Sequence, residues 1–145
     1  MKNKVRWYVS PLLIVMIAAL IACGYVFDCI IYFSTIVLHE LAHAEVSLRL
    51  GYSLDRFALM PYGASLKGEF EGVRAKDEIL IAVAGPLFNV VVAVICTALW
   101  WLVPTSYAFT DRLVAANVFT ALFNLLPIFP LDGGRALLEI GRAHV

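Results

Sequence analysis

Two apolar stretches, Trp7 to Phe27 and Cys29 to Leu50, follow one another with only Asp28 between them. As a helix, each is long enough to cross roughly 30 Å of hydrocarbon, and a backbone that crosses a bilayer has to satisfy its own hydrogen bonds. Together they confine the chain to an all-α, polytopic membrane fold. Composition agrees: the 145 residues are 62% hydrophobic and only 15% charged, with a mean hydropathy of +0.87. The competing reading of the basic start and first run is a signal peptide, with Leu20-Ile21-Ala22-Cys23 as a lipoprotein cleavage box. The second run begins so soon that a lipid on Cys23 would be a redundant anchor. A formal net charge of zero gives no reason to expect a nucleic-acid partner. Cys23, Cys29 and Cys96 are odd in number and form no CxxC pair, which makes them apolar fillers rather than a structural zinc site.

Inside the second stretch lies His39-Glu40-Leu41-Ala42-His43, an HExxH signature in surroundings where ionisable groups are costly to keep. On a helix His39 and His43 share one face, one turn apart, and can offer two imidazoles to a single metal. Glu40 sits beside them as a general base toward water, the donor set of a zinc hydrolase. Glu45 projects about 200° away from His39 and is no ligand. Gly51 ends the helix as a C-cap glycine.

From Tyr52 to Asp77 charges, glycines and prolines break the apolar pattern. Phe57–Met60 and Ala64–Phe70, separated by Pro61-Tyr62-Gly63, predict a short β-hairpin at the membrane surface whose edge could accept an extended substrate. Glu78 to Val103 is a third span, Pro104 to Arg112 a turn, and Leu113 to Leu126 a fourth apolar segment, making about four transmembrane segments. The fourth runs into Asn124–Arg135, where Pro127, Pro130, Gly133 and Gly134 argue against continuous helix. Irregular backbone at that depth has to line protein or a wet cavity, so a re-entrant loop facing the HExxH helix is expected.

Basic residues set the orientation. With a cytosolic N-terminus, Lys2, Lys4, Arg6, the five basic residues from Arg49 to Lys76, and Arg135 fall on the cytosolic side, leaving Arg112 outside. A catalytic zinc takes three protein ligands and HExxH supplies two. Of Asp28, Glu45, Asp111, Asp132 and His144, only Asp132 can be returned to the depth of His39, by the bends at Pro127 and Pro130. Glu40 would take a proton from water and deliver it to the leaving amine. Asn89 and Asn124 are placed either to hold an extended substrate backbone or support an oxyanion, or to bond helix to helix.

His39–His43, then Ala84-Gly85-Pro86-Leu87-Phe88-Asn89, then Asn124-Leu125-Leu126-Pro127 leading to Leu131-Asp132-Gly133-Gly134, resemble the three signatures of the site-2 protease family of intramembrane zinc metalloproteases. Leu59–Gly63 and Asn124–Arg135 look most like the branch that cleaves a membrane-associated pro-sigma factor in spore-forming bacteria. The resemblance implies one zinc per chain on His39, His43 and Asp132, Glu40 as acid/base, Asn124 near the substrate, and regulation by partner membrane proteins. It also implies a multi-pass protein of the bacterial cytoplasmic membrane acting on a membrane-associated protein. Ala42 departs from the glycine usual there, and the family continues well beyond the DG loop. Residues 1–140 are therefore expected to be a protease core truncated at its C-terminus, and 139–145 a non-native tail. The rival readings are a metal-binding membrane transporter or sensor, and an inactive protease fragment.

Overall fold

The computed structural model describes residues 6–60, 63–68 and 73–142. Lys2, Lys4, the Pro61-Tyr62 turn, residues 69–72 and His144 lie outside the described residues. The chain runs β1 (Arg6–Val9), α1 (Pro11–Ala22), α2 (Val26–Arg49), β2 (Leu54–Met60), β3 (Gly63–Gly68), α3 (Ala75–Leu102), a 3-10 turn (Pro104–Ser106), α4 (Tyr107–Asn124) and α5 (Asp132–Arg142).

The first expected span, Trp7 to Phe27, is corrected. Pro11 occupies the first helical turn, where its missing N–H costs nothing, and the residues before it are extended instead of helical. What remains as α1 is 12 residues, about 18 Å of helix, too short to cross alone. Arg6–Val9 pairs in parallel with β2, Arg6 opposite Arg56 and Val9 opposite Leu59. β2 in turn pairs antiparallel with β3, Met60 opposite Gly63 and Leu54 opposite Gly68. The sheet order is β1-β2-β3, with β3 against α2 and β2 against α1.

Two helices, α2 and α3, are long and apolar enough to cross a membrane, judged by length and composition. α2 ends where the HExxH helix was expected to end. Gly51, at φ +89°, donates its N–H to the Leu48 carbonyl while Tyr52 donates to Ser47, closing a Schellman cap. α4 begins at Tyr107 rather than Leu113, because Asp111 and Arg112 are carried within the helix. Arg112 Nη1 donates to Asp28 Oδ1 at 3.1 Å, giving the charge a partner near the start of α2. Trp100 Nε1 donates to Thr110 Oγ1 at 2.6 Å, tying the end of α3 to the same region.

α3 is the hub, packed against α2, α4 and α5. Its buried stripe is Asp77, Ile81, Gly85, Asn89, Ala93 and Cys96, spaced by three or four residues and mostly small or polar. α2 answers with Thr35, His39, His43 and Ser47, four buried polar side chains at successive i, i+4 positions. Leu38, Leu41, Leu80, Leu87 and Val94 face outward. Large apolar groups outside and small or polar groups between helices suit a chain whose surroundings are themselves apolar.

Candidate metal centre

His39 and His43 lie on the buried stripe of α2 with their rings edge to face, centroids 4.7 Å apart. Their Nε2 atoms are 3.1 Å apart, and each is 3.1 Å from Asp132 Oδ2. All three residues are buried. Donors about 2.0–2.1 Å from a common tetrahedral centre are about 3.3 Å from one another, so this triangle fits a zinc ion with one coordination position left open.

The tautomer that metal binding requires is set from outside. His43 Nδ1 is 2.6 Å from the Ile81 carbonyl, and a carbonyl only accepts, so Nδ1 carries the proton and Nε2 presents its lone pair to the triangle. Ile81 stands one turn before Gly85 and Pro86 on α3. A β-carbon at Gly85 would overlap His43 Nε2 and lie 2.7 Å from His39 Nε2. Glycine is what lets the backbone of α3 pass directly over the two rings.

Asp132 is the first residue of α5 and arrives from a loop that folds back on the helix it starts. A β-carbon at Gly133 would stand 2.7 Å from the Leu126 carbonyl oxygen, and one at Gly134 2.6 Å from that of Ile128. The two glycines allow the loop carbonyls to pack on the first turn of α5, which carries Asp132 back to the depth of His39.

Glu40, the neighbour of His39, is half-buried, and its carboxylate feels the charges of His43, Asp132 and Arg135. Asn89 is wholly buried one turn beyond Gly85, with neither amide atom partnered among the described residues. Asn124 is half-buried and donates from Nδ2 to the Thr120 carbonyl of its own helix at 3.0 Å. Glu45 is exposed and accepts from Arg49 Nε at 2.7 Å, and Asp28 is held by Arg112, so neither joins the triangle.

Sequence reasoning did not single out the Ile81 carbonyl, the role of Gly85, or the buried Thr35, Ser47 and Asn117. The polar stripe on α2 was readable from its four-residue spacing. The contacts of Gly85 were not, because they depend on how α2 and α3 face each other. Gly85→Ala should push the two rings apart and weaken zinc retention about 10- to 100-fold. Gly141→Ala, where no atom lies within 4 Å of the added carbon, should leave it unchanged. Zinc per chain after dialysis against graded chelator measures both.

The model of Peptidase family M50 matches residues 28–115. A zinc metalloprotease of Methanocaldococcus jannaschii is 31% identical over 114 residues, covering 77% of this chain and 33% of that protein. Stage IV sporulation protein FB of Bacillus subtilis is 31% identical over 134 residues, covering 90% of this chain and 46% of that protein. The chain thus spans a third to a half of the length of these relatives. The solved site-2 protease of Methanocaldococcus jannaschii superposes with a TM-score of 0.76 at 23% identity, over 97% of this chain and 68% of that one, a likeness of fold.

Proposed function

Because this chain belongs to peptidase family M50, we propose that it is the catalytic core of a zinc-dependent endopeptidase that hydrolyses a peptide bond in or near a membrane segment of another protein. The observation that carries the reading is the buried His39–His43–Asp132 triangle, with 3.1 Å edges and a carboxylate, Glu40, beside it. Zinc at that position would polarise the scissile carbonyl and acidify water. His43, oriented by Ile81, and His39, under the backbone of Gly85, would hold two of its ligand positions and Asp132 would supply the third. Glu40 takes the proton from the attacking water and returns it to the departing amine nitrogen, so the amine leaves neutral. Asn124 and Asn89 are candidates to hold the substrate backbone, Asn124 by turning its amide from Thr120 to the peptide.

An extended substrate has a natural seat. β3 is an edge strand of the sheet, unpaired on its far side among the described residues, and lies against α2, so a segment adding to that edge would run beside the signature helix. The bilayer topology that suits this arrangement has a cytosolic N-terminus and a cytosolic mouth. Arg49 closes α2 beside Gly51, Arg74 and Arg135 pair with Asp77 and Glu78 in the first turn of α3, and Arg112 pairs with Asp28 at the other end of α2. Regulatory membrane partners and a pro-sigma factor as substrate complete the proposal, the last supported by the likeness to stage IV sporulation protein FB.

A transporter would string ligands along a path, whereas the candidate metal group among the described residues is a single cluster with a base adjacent. The test is metal removal. Chelation should abolish cleavage of a membrane-tethered substrate and one equivalent of zinc should restore it. Cleavage that survives complete removal of zinc overturns the reading.

A further inference from the structure

The first turn of α3 carries two adjacent acids, and each reaches a different neighbour. Asp77 Oδ2 accepts from Tyr52 Oη at 2.7 Å and from Arg74 Nε at 3.0 Å. Tyr52 immediately follows the cap of α2, so Asp77 ties α3 to the exit of the helix that carries both histidines. Glu78 reaches the other way, its Oε1 3.6 Å from Arg135 Nη2 on α5. Arg135 stands three residues after Asp132, on the same face of α5. One acidic turn is therefore fastened on one side to α2 and on the other to the helix that supplies Asp132.

We propose that the Glu78–Arg135 ion pair is a positioning clamp, which fixes the rotation of α5 and so the approach of Asp132 Oδ2 to the two histidine nitrogens. α5 has 11 residues, follows a loop interrupted by Pro127 and Pro130, and packs chiefly on α3. The loop carbonyls fix where α5 starts, the ion pair opposes its turning about its own axis, and a turn that withdrew Asp132 would also separate Arg135 from Glu78. The side chains are 30% and 27% exposed, so water screens the pair only in part.

This inference rests on the metal reading above, and the experiment separates the two. The full chain in detergent is loaded with zinc, and transfer of zinc to excess chelator is timed for wild type, Glu78→Gln, Arg135→Gln, the double variant and Arg135→Lys. Each glutamine variant should release zinc about three- to fivefold faster, a partly screened ion pair's share. The double variant should be no faster than either single one, and Arg135→Lys should stay near wild type. Cobalt-substituted protein should show reduced visible absorption in the two glutamine variants, a change in ligand geometry that simple loosening of the fold would not produce. Wild-type release rates in both single variants, or effects that multiply in the double variant, overturn the clamp. A wild-type chain that takes up no zinc overturns the metal reading beneath it.

Discussion

Glu40→Gln should abolish proteolysis while leaving zinc in place. Glutamine has the shape of glutamate but cannot accept the proton of an attacking water, and general-base catalysis contributes about 10²- to 10⁴-fold, the loss expected in turnover. Zinc content should not follow, because His39, His43 and Asp132 form the triangle without Glu40. Glu40 is half-buried next to His39 in the chain and belongs to none of the 3.1 Å edges. Turnover of a membrane-tethered substrate and metal analysis on the same preparation decide the matter. Retained cleavage would remove Glu40 from the chemistry; lost zinc would make it a ligand.

Asp132→Ala should do the opposite and lose the metal first. Asp132 Oδ2 closes both remaining sides of the triangle, and alanine leaves two imidazoles alone in a buried site. Loss of an outer partner of a zinc ligand typically costs 10- to 100-fold in affinity, and loss of the ligand itself should exceed about 100-fold. Competition with a chromogenic chelator measures this without reference to substrate. A variant that kept one tight zinc per chain would show that the third ligand lies elsewhere.

The parts of the site that follow from spacing within one helix were legible in the sequence. His39 and His43 share a face because 3.6 residues make a turn, and Gly51 ends α2 because glycine accepts positive φ where other residues resist it. Asp132 was legible by depth: the prolines and glycines around it leave a loop that has to be buried somewhere. What the sequence hid was pairing between distant segments. Trp7–Val9 is as apolar as the helix after it, and only β2, some fifty residues on, makes it a strand. Asp111 and Arg112 read as a turn because charge is costly in a span, yet Arg112 finds Asp28 across the bundle. Gly85 was visible only as part of the Ala84–Asn89 signature, since what it makes room for is the two rings of another helix. Candidate roles for Asn89 and Asn124 came from residue type and depth. In the free chain Asn89 is sealed between helices and Asn124 is engaged with Thr120, so a substrate would have to draw them out.

The polar stripe on α2 bears on how the chain reaches its final state. Thr35, His39, His43 and Ser47, with Glu40 beside them, make α2 much the less apolar of the two long helices, and α3 comes after it in synthesis. A helix with that stripe enters lipid poorly alone, whereas Gly85 and the Ile81 carbonyl on α3 can cover it. If both helices cross the bilayer, the stripe on α2 is covered only once α3 has emerged, so the two helices would settle there as a pair. The residues that would bind zinc thus make the order of insertion part of the fold.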